Sequence, residues 1–313
     1  MNFPVFDLHC DTSDRLAGIG CDTYEELKKN QAHIDLERAG KLGGYAQCFA
    51  CFTNPDETRN PVDTFEKKFA SILREISKNE SVICQAFNAE EIVHNKNGGI
   101  MSAILTIEGP AGFGYDPELL EDLYKVGFRM STLGHNEKSP LSGSHFSGGG
   151  LTEQGREYVR QAQNVVMIID VSHISDEGFW DIMNITNAPV VASHSNSRSI
   201  CNVSRNLTDD MFLAICKTGG VAGVNLYTEF LGPNADLDTV CNHIFHFMEL
   251  DPSGKHIALG GDLDGCNKLP QNFTGIDCYN DLANRLIDRG LDQAIVQNIF
   301  WDNALEVFRK CCI

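Results

Sequence analysis

Short apolar runs alternate with helical patterns along nearly the whole chain, and this alternation leaves few folds open. Strand candidates lie at 3–9, 45–52, 100–107, 127–133, 165–171, 189–194, 220–226 and 256–261. Their cores are near-continuous runs of Val, Ile, Leu, Ala and Met, as expected of parallel strands covered on both faces. Helical patterns at 62–78, 87–95, 116–125, 152–163, 176–187, 208–218 and 236–250 separate them. Asp116-Pro117 and the clusters beginning at Thr152, Ser175 and Thr208 supply helix starts. Eight strand–helix units predict an α/β fold of the TIM-type (β/α)8 barrel class, with helical segments at 278–289 and 292–309 as a C-terminal extension. No long Gly/Ser/Pro-rich linker divides the 313 residues, so one domain over 1–313 is expected. The glycine-rich stretch 142–150 follows the fourth strand, where it reads as a flexible rim loop.

Charge and cysteine usage narrow the function classes. A formal charge of −18, from 43 acidic and 25 basic residues, sets the average surface against a polyanion, so no nucleic-acid partner is expected. No apolar run approaches the roughly 18–20 residues that span a bilayer. Strand-like sequence from Phe3 leaves no room for a secretory signal, and the expectation is a soluble, cytoplasmic protein with reduced thiols and no membrane partner. Cys48 and Cys51 imitate a CxxC pair, yet odd spacing in a strand sends them to opposite faces. Cys311-Cys312-Ile313 is not a prenylation signal, and a frayed tail is the expectation there.

The chemistry-bearing residues recur where apolar runs end. In the first candidate strand, period two places His9 and Asp11 on one face at the C-terminal end, although Asp11 could equally cap a following helix. The third ends in Glu108 before Gly109-Pro110, either a solvated loop carboxylate or a group in the barrel mouth, where burial without a cation would be costly. The fifth and sixth run into His173 and His194. The C-terminal rim of such a barrel is where active sites sit. Three imidazoles and two carboxylates are too many for one tetrahedral catalytic ion, but suit two ions bridged by a carboxylate and a hydroxide. A ligand set without thiolate suits Zn2+, with Mn2+ or Co2+ as alternatives.

Asp7-Leu8-His9-Cys10-Asp11-Thr12, Ile107-Glu108-Gly109, Asp170-Val171-Ser172-His173, Ser193-His194-Ser195 and Gly260-Gly261-Asp262-Leu263-Asp264-Gly265 together resemble the membrane (renal) dipeptidase family of the amidohydrolase superfamily. The likeness covers nearly the whole chain, in the family's order and spacing. It implies a zinc-dependent dipeptidase with two Zn2+ per chain: His9 and Asp11 on one ion, His173 and His194 on the other, Glu108 between them, and a bridging hydroxide as nucleophile. It further implies Asp262 as the proton-transfer group, His135 (in Leu133-Gly134-His135, before Pro140) as the contact to the substrate carbonyl, and Arg205 as the partner of the substrate's terminal carboxylate. Spacing alone does not choose between Asp262 and Asp264, since period two puts both on one face; Asp262 is favoured as closer to the strand end. His145 competes with His135, but its loop position predicts solvent exposure.

The substrate implied is a dipeptide, L-Xaa-D-Xaa included, with N-acyl amino acids, lactones or cyclic amides as the alternative class. A homodimer is also implied. The mammalian members' anchor and disulfides are not carried over. Residues 109–114 and 136–150 depart from the mammalian pattern, which leaves side-chain preference open.

Overall fold

The computed structural model describes residues 2–19 and 25–312. Nine strands are formed among them: β1 (Val5–Cys10), β2 (Tyr45–Phe52), β3 (Ile83–Gln85), β4 (Met101–Glu108), β5 (Phe128–Ser131), β6 (Ile168–Asp170), β7 (Val190–Ala192), β8 (Val221–Val224) and β9 (Ile257–Leu259). All pairings are parallel, and eight strands close into a barrel, with β2 against β4 on one side and β1 against β9 at the seam. The barrel expectation is met. The sequence reading missed β3, whose three residues are too few to show a period; it borders Met101–Ala103 of β4, ahead of the stretch from Leu105 where β5 takes over.

Alternation along the strands sorts the core into two layers. Phe6, Leu8, Ala46, Cys48, Ile104, Met130, Ile168, Val191, Val221 and Ala258 belong to an inner cluster. Val5, Phe49, Cys51, Ala103, Leu105, Ile169, Val190, Ala222 and Leu259 belong to an outer one, packed against the helices. Cys48 and Cys51 therefore fall in different layers, as odd spacing requires. The ring of Phe6, near the start of β1, meets Trp301 and Phe308 at centroid distances of 5.8 and 5.1 Å. The C-terminal helix (Asn303–Cys311) thus packs against the strand-start end of the barrel, and Cys311 and Cys312 are buried rather than frayed.

Caps explain why the helices begin where they do. Thr152, Ser175 and Thr208 each accept the amide of the residue three places on, satisfying one orphan donor of the first turn. β6 starts later than the expected 165 because Val165–Met167 closes the preceding helix, with Val166 in the left-handed region at φ 57°. Among the described residues no helix is long and apolar enough to cross a membrane.

Candidate metal centre and substrate cavity

Each expected ligand stands at or just past the C-terminal end of a strand, and the barrel brings all five to one mouth. Glu108 is the last residue of β4, and its carbonyl accepts the amide of Thr53 at 2.8 Å. Gly109 then turns at φ 81°, where a Cβ would lie 2.1 Å from the Thr53 carbonyl oxygen, so glycine is required for the chain to leave the strand behind Glu108. His173 and Asp262 both take positive φ, 70° and 56°, a conformation that non-glycine residues adopt rarely and that clusters at functional sites.

Glu108 sits between the histidines. One of its oxygens lies 3.2 Å from Nε2 of His9, and the other lies 2.9 Å from Nε2 of His173 and 3.5 Å from Nε2 of His194. The rings of His9 and His194 are stacked at 3.8 Å. Ligand atoms of His9, Asp11 and Asp262 lie within 4.8 Å of one another, as do those of Glu108, His135 and His173. Asp11 occupies the N-cap position of helix Thr12–Ala17 but makes no capping hydrogen bond; its Oδ1 and Nε2 of His9 are buried without hydrogen-bond partners.

The outer nitrogens of the imidazoles are already engaged. Nδ1 of His173 meets Asn136 Oδ1 at 3.0 Å, and Nδ1 of His194 meets Ser193 Oγ at 2.6 Å. Ser193 in turn donates to Asp170, whose other oxygen accepts the amides of Ser172 and Ser193 at 2.9 Å each. With Nδ1–H donated outward, each Nε2 carries a lone pair, and these two lone pairs face each other across 3.0 Å. Opposed lone pairs, an orphaned imidazole nitrogen and an orphaned carboxylate oxygen are what a cation site leaves when only its donors are considered. The residues fit divalent metal.

Charge distribution agrees. Burial works against ionising Glu108, but the neighbouring His9 above all, with the imidazoles of His173 and His194 close by, overcomes it and holds its carboxyl well below the usual range. Burial likewise works against His9, yet Glu108 and Asp11 raise its pKa well above an ordinary imidazole. Burial keeps His173 and His194 neutral, which is the ligating form. Asp11 and Asp262 are both pushed up by burial, with Glu108 adding to it. An excess of carboxylates over nearby cations awaits positive charge.

Asp262 and Asp264 stand in different surroundings. Both have positive φ, so strand alternation has ended and their side chains part. Asp264 is occupied, its two oxygens accepting from Thr12 Oγ1 and from the His33 amide, each at 2.6 Å. Asp262 faces the ligand cluster, and one oxygen accepts from Asn225 Nδ2 at 3.1 Å.

Asp11, Glu108, His173, Asp262 and Asp264 line a cavity of about 430 Å³, walled by Phe52, Glu57, His135, Asn136, His145, Phe146, Tyr227 and Phe230. Arg205 is 4% exposed; Nη1 donates to Ser195 Oγ at 2.9 Å, while Nε and Nη2 are buried without partners. The expectation of an exposed His145 is overturned. Its Nε2 meets Asn136 Oδ1 at 3.1 Å and its Nδ1 meets Ser204 Oγ at 3.0 Å, so the glycine-rich loop folds inward and the ring lines the cavity. Asn136 and Asn225 escaped the sequence reading, and Asp170 and Ser193 appeared there only as motif residues, because an outer partner carries no spacing of its own.

A closed parallel barrel with imidazoles and carboxylates converging at its C-terminal mouth defines a metallohydrolase of the α/β-barrel class. A family model for membrane dipeptidases, peptidase family M19, matches residues 1–312. The chain belongs to the membrane dipeptidase family. An uncharacterized dipeptidase of Schizosaccharomyces pombe is 33% identical over 216 residues, 67% of this chain and 53% of that protein, so the chain matches about half of that relative's length. A protein encoded in the pqqA 5′ region of Klebsiella pneumoniae is 30% identical over 80% of this chain and 97% of its own. Among solved structures, a Rhodobacter sphaeroides metallopeptidase liganded with a phosphinate mimic of L-Ala-D-Ala superposes with a TM-score of 0.90 at 22% identity, covering 99% of this chain and 100% of that one. At that identity the likeness is one of fold.

Proposed function

We propose that this chain is a zinc-dependent dipeptidase, a single (β/α)8 domain that hydrolyses the peptide bond of dipeptides, L-Xaa-D-Xaa among them. The observation that carries the reading is Glu108 set between His9 on one side and His173 and His194 on the other, with Nε2 of His9 lacking a hydrogen-bond partner and the Nε2 atoms of His173 and His194 turned toward each other. His9 and Asp11 would hold one cation and His173 and His194 the second, with Glu108 shared. When bound, the cations would supply Lewis-acid activation and a lowered pKa for water.

The chain's own residues would do the rest. Arg205 offers two unpaired donor nitrogens in a buried setting, which suits the terminal carboxylate of a short substrate. Asp262, its pKa raised chiefly by burial, would accept a proton from the attacking water and return it to the leaving amine. Burial holds His135 at a pKa of about 4, so its imidazole is neutral at physiological pH and can donate an N–H to the carbonyl oxygen as charge develops there. A cavity of about 430 Å³ accommodates a dipeptide. The R. sphaeroides structure, which holds a dipeptide mimic, supports that substrate class. A homodimer and a cytoplasmic setting belong to the same proposal; every described cysteine is free, which supports a reducing compartment.

The test is metal content measured beside hydrolysis of L,L- and L,D-dipeptides, N-acyl amino acids and lactones, for wild type and His194→Ala. Cleavage of dipeptides, lost in His194→Ala by about a thousandfold together with one equivalent of metal, is expected. Turnover of only the N-acyl amino acids or lactones would replace the dipeptidase reading with the alternative amidohydrolase one.

A further inference from the structure

At the opposite end of the barrel, three side chains with metal-binding chemistry come together outside the cavity. Cys216 lies in the last turn of helix Asp209–Thr218, Asp251 caps helix Leu237–Leu250, and His256 stands one residue before β9. One ligand atom of each lies within 4.8 Å of those of the other two, and all three residues are half-buried. We propose that Cys216, Asp251 and His256 form a separate binding site for a borderline-soft divalent cation such as Zn2+, with water completing the coordination.

Three independent features carry this assignment. Asp251 Oδ1 is held by the amide and hydroxyl of Ser253, at 3.2 and 2.6 Å, while Oδ2 is buried with no partner. His256 Nδ1 donates to the carbonyl of Gly220 at 2.7 Å, which leaves Nε2 as the nitrogen with a lone pair. This backing of an imidazole by a main-chain carbonyl is the usual support for a metal-bound histidine. Two helices end here, so their carbonyl termini place partial negative charge around the three groups. The neighbouring lysines Lys217, Lys255 and Lys310 are exposed.

Thiolate, imidazole and carboxylate together favour the zinc class over magnesium or calcium. Burial first, then Asp251, pushes the Cys216 thiol up to about 12, so the free site holds a protonated sulfur. On binding, the Sγ–H bond breaks, its proton passes to solvent, and an Sγ–metal bond forms without electron transfer. Such a site joins two helix ends to the entrance of β9, on the barrel face that serves stability rather than chemistry.

The cavity ligands include no thiolate, so cobalt separates the two sites. Metal-free protein titrated with Co2+ is expected to develop a near-ultraviolet thiolate-to-cobalt charge-transfer band. Cys216→Ser should lose that band and one equivalent of bound cobalt while dipeptide hydrolysis stays within about twofold of wild type. His256→Gln and Asp251→Asn, which keep the thiol, should weaken the band's apparent affinity by about tenfold or more, a readout that stands if the serine variant fails to fold. Absence of the band in wild type, its persistence in Cys216→Ser, or unchanged affinity in both other variants would overturn the proposal.

Discussion

Nε2 of His173 and Nε2 of His194 are 3.0 Å apart, and each ring is held by a hydrogen bond at its opposite nitrogen. Ring orientation is therefore set from outside the cluster. Removing an outer partner frees the ring to rotate or change tautomer, and losses of about 10–100-fold in metal affinity accompany such changes. Ser193→Ala breaks the link from Asp170 to His194 without touching an inward-facing atom. Metal affinity by competition with a chelator should fall within that range, while saturating metal restores most of the hydrolysis. Unchanged affinity would mean that packing alone orients His194.

Arg205→Lys preserves charge but removes the planar fork. If Nε and Nη2 meet a substrate carboxylate, the loss of one charge-assisted bond, about 1.5–3 kcal/mol, should raise KM roughly 10- to 100-fold with a smaller change in kcat. A dipeptide amide, which lacks the carboxylate, should be cleaved about equally poorly by wild type and variant. A KM indifferent to both changes would remove Arg205 from substrate binding.

Asp262→Asn and Asp264→Asn should separate chemistry from structure. The first is expected to lower kcat by about 10²- to 10⁴-fold, the range for a positioned proton-transfer group, while metal content holds. The second weakens the bonds from Thr12 and the His33 amide. It should lower stability by about 2 kcal/mol, read as a shift in the urea midpoint, with a smaller effect on kcat. The reverse pattern would exchange the two roles.

The strands and helices were legible because burial on both faces imposes continuous apolar runs and because caps are local. His173 and His194 stood out because two histidines at equivalent ends of adjacent strands have few innocent explanations, whereas Glu108, which could by itself be a solvated loop carboxylate, stood out only in their company. What escaped notice depends on contacts distant in sequence. Asn136 matters because it touches both His173 and His145, and those contacts exist only once the rim loop has folded inward. Asp262 and Asp264 could not be told apart while a strand period was assumed, since the turn that separates them replaces that period.

His243 supplies a pH prediction outside the site. It is fully buried; Nδ1 accepts the Ser197 amide at 3.1 Å, and Nε2–H donates to the Leu231 carbonyl at 3.0 Å, so the neutral ring is the one that fits. Burial lowers its pKa to about 4 from an ordinary 6.5. Between these values the unfolded chain binds the proton and the folded chain does not, so stability contributed above pH 6.5 is lost as pH falls toward 4, up to about 3 kcal/mol. In urea titrations at pH 7.5 and 4.5, His243→Gln should show a smaller acid-induced loss than wild type. An equal loss would assign the acid sensitivity to other groups.

The seam between β1 and β9 carries a further consequence. Asp7 accepts the amides of His9 and Gly261 and the Tyr279 hydroxyl, and the Asp262 amide donates to the His9 carbonyl. An imidazole on the first strand and a carboxylate just past the ninth thus depend on one joint. A nascent chain halted before β9 leaves the ribosome could hold neither in place.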